Sequence, residues 1–401
     1  MKKRRKLKRV YRRLLYILIL ILVVIGVITI VKSFNKKESS NNDHTTSTTT
    51  QEKQERKVNI TLFGDMLIEG PFYRSMNKYN EGDIYFKKVN DKYFKNDDIT
   101  IGNMEVPISS EDKFLGDAYQ FVSPPSIGNL IANQSIEVLG TANNHSFDQG
   151  IDGINSTIDF FKSKNILTVG TSKTKEDKTT PHIIEKNGIK IGFAAYTLFT
   201  NIKPNQEDLW RINYYREPYS KTYTEYKENI KNELTELVNN SDVQIVLMHW
   251  GNEFTYTLTD DQKDMAKFLS DIGIDIVLGS HSHNIQSIDY VGDTLVYYSM
   301  GNFASADADL DRSGAEFSNN YQIGLVSNLD IKIDNDNKVS LSNIKTEPII
   351  NYFDKNEEHY ELIPLSEYND EYEHNHYRYN LGLTKSFIND TYNRIIDNRF
   401  R

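Results

Sequence analysis

From residue 58 onward the chain alternates short apolar runs with amphipathic stretches. The runs Val58–Phe63, Ile99–Ile101, Ile136–Leu139, Ile191–Tyr196, Val243–Met248, Ile274–Leu278 and Leu295–Tyr298 are each bounded by turn or polar residues. Continuous apolar runs this short predict strands covered on both faces. Between several of them, apolar residues recur at helical spacing: Ile151, Ile154, Ile158 and Phe161; Ile230, Leu234 and Leu237; Met265, Phe268 and Leu269. That spacing puts one apolar stripe on a helix, to be laid against a sheet. Strand–helix alternation predicts a layered α/β domain. Further on, Tyr321–Ile333 and Val339–Ile344 predict paired strands across the polar turn Asp334–Lys338. The domain is expected to span 58–350. Residues 351–401, polar and rich in tyrosine, read as an extension ending in a helix near Ser386–Phe400.

Ahead of the domain the pattern changes. Leu14–Val31 reads LLYILILILVVIGVITIV, without a charge. At about 1.5 Å per residue this makes roughly 27 Å of helix, close to the ~30 Å hydrocarbon layer of a membrane. Nine of the thirteen residues before it are Lys or Arg, and a basic flank stays on the cytoplasmic side. Residues 1–13 therefore read as a cytoplasmic tail and 14–31 as a single transmembrane anchor in the cell membrane. The large domain is then expected to be extracellular. Lys32-Ser33-Phe34-Asn35-Lys36-Lys37 has no small-residue cleavage pattern. Residues 32–57 read as a flexible linker, since their Ser, Thr, Asn and Gln bury too little surface to offset ordering.

Charge narrows the function classes. Twelve of the 47 basic residues and none of the 56 acidic ones lie in residues 1–37, so residues 38–401 carry a net formal charge of −21. Such a surface repels polyanions within roughly a Debye length of ~8–10 Å, and no nucleic-acid partner is expected. Any anionic substrate must be captured locally. The chain has no cysteine, which excludes disulfides, thiolate metal sites and a Cys nucleophile.

The chemistry collects where strands are predicted to end. Val58–Phe63 runs into Gly64-Asp65, and Ile99–Ile101 into Gly102-Asn103-Met104-Glu105. Ile136–Leu139 runs into Gly140-Thr141-Ala142-Asn143-Asn144-His145-Ser146-Phe147-Asp148. Val243–Met248 leads to His249-Trp250-Gly251-Asn252-Glu253, and Ile274–Leu278 to Gly279-Ser280-His281-Ser282-His283. Carboxyl ends of strands form the ligand crevice of α/β sheets. Carboxylate and amide oxygens together with imidazoles suit Mn, Fe or Zn without a soft ligand. A carboxylate can bridge two such ions ~3.5–4 Å apart, which clamp the attacking and leaving oxygens of a displacement. Gly64, Gly102, Gly251 and Gly279 are expected to relieve crowding near the ions. Each piece alone has a bland reading: a turn for Gly-Asp, a cap for Asn-Asn-His, a satisfied core residue for His249. The pair His281 and His283 after a buried run is costly without a purpose.

The ordered set Gly64-Asp65, Asn103-x-Glu105, Asn143-Asn144-His145-x-x-Asp148-x-Gly150, His249-Trp250-Gly251-x-Glu253 and Gly279-x-His281-x-His283 resembles the bacterial capsule synthesis protein CapA family. Ser299-Met300-Gly301-Asn302-Phe303 is similar to that family's closing motif, and the resemblance covers roughly residues 58–305. It implies a part in poly-γ-glutamate capsule synthesis and export, alongside other capsule synthase subunits and the polymer or a related envelope polymer. It also implies kinship with calcineurin-like metallophosphoesterases. The fold it implies is a four-layer αββα sandwich, here preceded by one transmembrane helix, with a two-ion centre of unknown metal. Carried over, Asp65 and His283 would hold the first ion, Asn144, His249 and His281 the second, and Glu105 would bridge. His145, with Asn144 beside it, would be the acid; Asn103, Asn143, Asp148, Trp250, Glu253 and Asn302 would support the ligands or the substrate. Met66 and Leu67 follow Asp65 where the metallophosphoesterase pattern has Asp-x-His, so the first ion is a ligand short.

Two readings follow: a metal-dependent hydrolase of an envelope phosphoester or amide-type bond, or a non-catalytic scaffold or transport subunit of the polymer synthase. A Ser-dependent hydrolase of the Gly-Asp-Ser type is excluded because Asp65 precedes Met66.

Overall fold

Each apolar run predicted to be a strand lies in one of two large sheets. The computed structural model describes residues 55–68, 70–79, 82–112, 114–117, 120–216, 224–305 and 315–401. The stretches read as cytoplasmic tail, as anchor (14–31) and as linker up to residue 54 fall outside the described residues. Among the described residues no helix is long and apolar enough to cross a membrane.

The strands are β1 (Arg56–Leu67), β2 (Ile99–Met104), β3 (Leu115–Asp117), β4 (Gln120–Val122), β5 (Val138–Gly140), β6 (Leu167–Val169), β7 (His182–Lys186) and β8 (Ile189–Thr197). They continue with β9 (Val243–His249), β10 (Ile276–Ser280), β11 (Ile288–Val291), β12 (Thr294–Tyr297), β13 (Asn302–Ser305), β14 (Ile323–Ile333), β15 (Val339–Phe353) and β16 (Tyr360–Pro364). The longer helices are α1 (Gly70–Tyr79), α2 (Pro125–Ala132), α3 (Gly150–Ser163), α4 (Thr224–Asn240), α5 (Asp260–Asp271) and α6 (Lys385–Ile395).

One sheet runs β16-β15-β14-β1-β2-β5-β6, with β13 beside the end of β1; the other runs β11-β12-β10-β9-β8-β7. β1, β2, β5 and β6 are mutually parallel, and so are β8, β9, β10 and β12. The inward rows of the two sheets share one core: Val58, Ile60, Leu62, Ile99 and Ile101 meet Ile191, Phe193, Val243, Ile245, Leu247, Ile276 and Leu278. The outward rows are covered separately. Phe63, Met104 and Leu139 pack with Ile127, Leu130 and Phe161 of α2 and α3; Val246, Met248 and Val277 pack with Ile230, Leu234, Met265 and Leu269 of α4 and α5. Helix, sheet, sheet and helix therefore stack in four layers. Of the expected helical stripes, Ile154 and Phe161 in α3, Ile230, Leu234 and Leu237 in α4, and Met265 and Leu269 in α5 are buried, while Ile151, Ile158 and Phe268 are half-buried.

Two boundaries differ from expectation. β1 begins at Arg56, inside the stretch read as linker. The boundary placed after residue 350 falls within β15, and Gln54–Arg401 form one compact unit. The C-terminal stretch is not an appendage. β16 extends the first sheet, and Leu383, Ile388, Tyr392, Ile396 and Phe400 join the core between the sheets. Its polarity misleads because α6 commits only a narrow stripe inward. Its tyrosines bury their rings and keep a polar tip for bonding; the Tyr392 hydroxyl reaches the Thr346 carbonyl.

The glycines beside the strand ends relieve backbone contact and packing, which corrects the expectation that they make room for ions. A Cβ on Gly64 would sit 2.0 Å from the Gly301 carbonyl oxygen, and one on Gly279 would sit 2.2 Å from that of Tyr298. At Gly102 it would strike the Phe63 ring, at 1.9 Å. At Gly251, whose φ is +85°, it would meet the Gln262 amide at 2.7 Å.

The C-terminal region also carries a titration. His376 is buried, and burial pushes it down to about 3. The unfolded chain, with an ordinary value of about 6.5, binds a proton there that the folded chain does not. This residue's contribution to stability is therefore complete above about pH 6.5 and lost as pH falls toward 3, at up to about 1.4 kcal/mol per pH unit. Urea unfolding of wild type and His376→Gln across that window should show a shallower acid loss in the variant. Parallel curves would contradict the assignment.

Candidate metal centre

The period-two alternation that builds the inner core also delivers the ligand atoms. Val243, Ile245 and Leu247 face inward, and the same row ends at His249. Ile276 and Leu278 lead in the same way to Ser280, which pairs with His249 across the β9–β10 ladder. Ile99 and Ile101 lead to Asn103, which pairs with Asp65. In β1 the register shifts between Leu62 and Asp65, and again between Asp65 and Met66. This irregularity turns Asp65 into the pocket while Met66 and Leu67 both join the outer core. Leu67 thus occupies a packing position and offers no donor. After β10 the chain must hold two imidazoles toward one point. It does so with His281 at φ +89° and His283 at φ +53°, a region that costs a non-glycine residue about 1–3 kcal/mol.

The structure brings Asp65, Glu105, Asn144, His145, His249, His281 and His283 together, all with 4% or less of their surface exposed. Asp65 Oδ1 accepts from Asn103 Nδ2 at 2.7 Å, and Oδ2 accepts from the His281 backbone N–H at 3.2 Å. Burial pushes the Asp65 carboxyl up, against the opposing pull of His283, Asn103 and the His281 N–H. One donor atom each from Asp65, Glu105 and His283 lies within 4.8 Å of the other two. Glu105 Oε1 stands 3.7 Å from His283 Nε2 and 3.6 Å from His249 Nε2, between the two imidazoles.

Hydrogen bonds fix which nitrogen His283 and His249 turn inward. His283 Nδ1 lies 2.9 Å from Asn302 Oδ1, while Asn302 Nδ2 donates to the Tyr321 carbonyl at 3.1 Å. Asn302 Oδ1 can only accept, so His283 carries its proton on Nδ1 and turns a lone pair on Nε2 toward Glu105. His249 Nδ1 lies 2.9 Å from Ser280 Oγ, whose hydroxyl faces the Met248 carbonyl at 3.4 Å. Ser280 therefore accepts from Nδ1–H, leaving the His249 Nε2 lone pair inward. That lone pair meets Asn144 Oδ1 at 2.8 Å and His281 Nδ1 at 3.0 Å. Burial first, then the surrounding imidazoles, pushes His249 well down and His281 to about 3, so both are neutral near pH 7.

Behind this set the loop after β5 is tied down by its own side chains. Ser146 Oγ accepts from the Asn143 N–H at 2.7 Å, and Asn143 Nδ2 donates to the Met104 carbonyl at 2.8 Å. His145 Nδ1 is 2.6 Å from Asp148 Oδ2, an oxygen that also accepts the Phe121 N–H at 2.7 Å. Asn201 Nδ2 stands 3.4 Å from His145 Nε2. Phe121, Phe199 and Phe254 set their rings against His145, His281 and His283 respectively, with centroids 4.7, 5.8 and 5.9 Å apart.

Two expected site residues lie elsewhere. Trp250 follows His249 by one residue and so faces outward. It is buried in the core beneath α5, its Nε1 donating to the Tyr298 carbonyl at 2.8 Å. Glu253 is exposed, beyond the turn at Gly251. Two further residues touch the set: Ser280, which sits in the Gly279–His283 motif without being assigned a role by it, and Asn201, which carries no sequence pattern.

The family profile described as bacterial capsule synthesis protein PGA_cap matches residues 59–307. The chain belongs to that family, which bears out the resemblance read from the strand-end motifs. It is 27% identical over 260 residues to the capsule biosynthesis protein CapA of Bacillus anthracis, a match covering 63% of this chain and 60% of that protein. It is 24% identical over 261 residues to the PGA biosynthesis protein CapA of Bacillus subtilis, covering 61% of this chain and 63% of that protein. The chain thus spans a little under two thirds of these relatives. Among solved structures, a phosphatase from Mycoplasma pneumoniae aligns over 82% of this chain and all of its own length, at 14% identity and a TM-score of 0.45.

In metal-free protein near pH 7, NMR of the isotope-labelled histidine rings should place the His249 proton on Nδ1. Ser280→Ala should let the Nε2–H form appear, donating to Asn144. An unchanged tautomer in the variant would contradict the assigned role of Ser280.

Proposed function

We propose that the chain is a membrane-anchored component of poly-γ-glutamate capsule synthesis or export, bearing a metallophosphoesterase-type hydrolase centre outside the cytoplasm. The observation that carries the centre is the meeting of acceptors around His249. Its Nε2 lone pair lies 2.8 Å from Asn144 Oδ1 and 3.6 Å from Glu105 Oε1, and His281 Nδ1 stands 3.0 Å from the same nitrogen. Oxygen and nitrogen atoms held that close, with burial keeping His249 and His281 neutral, fit a divalent cation. Asp65, Glu105 and His283 fit a second, with Glu105 shared between the two sets. Mn, Fe and Zn all suit such oxygen and imidazole donors.

A bound divalent ion would act as Lewis acid toward the scissile group and water. The chain's own residues do the rest. Asp148 and the Phe121 N–H fix the His145 ring, so that its Nε2 can hand a proton to the leaving atom. Asn103, Asn302 and Ser280 hold the ligands in place, and the phenylalanine rings limit water around them. The polymer partner and the other synthase subunits rest on the family assignment; the cell membrane rests on the apolar segment 14–31 with its basic flank.

Full-length protein purified in detergent should carry Mn, Fe or Zn, and His281→Ala/His283→Ala should lose it. Ion added at about a hundred times its Kd should stabilise wild type by about 2.7 kcal/mol and leave the variant unmoved. Equal, negligible metal in both would remove the hydrolase centre. In cells, His145→Ala should lower capsule polymer; unchanged output would favour a scaffold.

A further inference from the structure

The family match ends at residue 307, yet a chain of buried hydrogen bonds runs from the metal centre into the residues beyond it. Asn302, which holds His283 Nδ1, opens the short strand β13. Asn351, in β15, spans that whole strand with one side chain. Its Nδ2 donates to the Asn302 carbonyl at 2.9 Å, and its Oδ1 accepts from the Ser305 N–H at 2.8 Å. Asn351 is itself clamped on both backbone groups. Its N–H donates to the Gln322 carbonyl at 2.9 Å, and its carbonyl lies 3.2 Å from His376 Nε2. His376 Nδ1 accepts the Arg378 N–H at 3.1 Å, which places the His376 proton on Nε2, toward Asn351. Asn302, Ser305, Asn351 and His376 are all 1% exposed or less.

We infer that Asn351 is a positioning residue for the metal ligand His283, acting through the Asn302 backbone, and that the C-terminal region is thereby part of the metal centre. The physical reason is that β13 is four residues long and meets β1 across a shifted register. Ladder bonds alone leave such a strand free to slide. A side chain that grips both ends sets where Asn302 Oδ1 stands, and that oxygen in turn sets which His283 nitrogen faces Glu105. A buried asparagine amide with both ends bonded resists displacement, because any shift leaves a desolvated donor or acceptor unmet.

The inference rests on the proposed metal centre for its consequence, though not for its geometry, so the test has two readouts. In metal-free full-length protein, the His283 Nδ1 proton should exchange slowly by NMR, and Asn351→Ala should speed that exchange about tenfold or more. Asn351→Asp, which keeps an acceptor for Ser305 and loses the donor to Asn302, covers the case in which the alanine variant fails to fold, and the same acceleration is expected. For metal, Asn302→Ala and Asn351→Ala should each weaken Mn²⁺ binding about tenfold, as outer partners of ligands do. The double variant should be no weaker than Asn302→Ala, because one acts through the other. A double variant weakened about a hundredfold would overturn the inference, as would exchange of the His283 proton unchanged in both Asn351 variants. Should wild type bind no Mn²⁺, the metal reading falls, and the exchange rate alone decides whether Asn351 positions His283.

Discussion

Mutually opposed lone pairs at the top of the sandwich set the terms for the rest of the structure. Asn144 Oδ1 and Glu105 Oε1 both face the His249 Nε2 lone pair, with His281 Nδ1 3.0 Å from the same nitrogen, and opposed acceptors of this kind are held only at a cost. The protein holds them by over-determination. Inward rows of two sheets end at the pocket, and each imidazole whose tautomer can be read has its far nitrogen bonded. Two histidines are kept at positive φ by the packing around them. Strain and desolvation concentrated at one place, with a rigid scaffold bearing the cost elsewhere, are the marks of a site built for a ligand.

The scaffold is suited to this because both sheets present the carboxyl ends of parallel strands on the same side. β1, β2 and β5 contribute one half of the donors, and β9 with β10 the other. The pocket therefore straddles the seam between the layers, and any slide of one sheet over the other would separate Glu105 from His249. Glycines 64 and 279 matter at this seam because backbone oxygens press against them. Their role is to let strands converge, and the donors converge with them.

Much of this was legible in the chain itself. Strand ends rich in Asp, Glu, Asn and His marked the pocket because buried runs must terminate before polar groups can gather. What the pattern misplaced has a physical reason in each case. Trp250 belongs to the opposite face by simple alternation from His249, and Glu253 lies past a turn that leaves the pocket. Residues 351–401 looked peripheral because tyrosines and a thin apolar stripe bury a core without a hydrophobic run. Leu67 was already recognisable as a missing donor, and its burial in the outer core shows why it offers none. Asn201 and the grip of Asn351 on β13 depend on contacts between segments far apart in sequence, which no local pattern encodes.

The account turns on where a cation goes. Crystals of the full-length protein soaked in Mn²⁺ and measured at the manganese absorption edge would answer this directly. The account predicts an anomalous peak about 2.0–2.3 Å from Asn144 Oδ1, His249 Nε2 and His281 Nδ1, with Glu105 in reach. A fully soaked crystal with no peak there, or with peaks only on the acidic exterior, would contradict it.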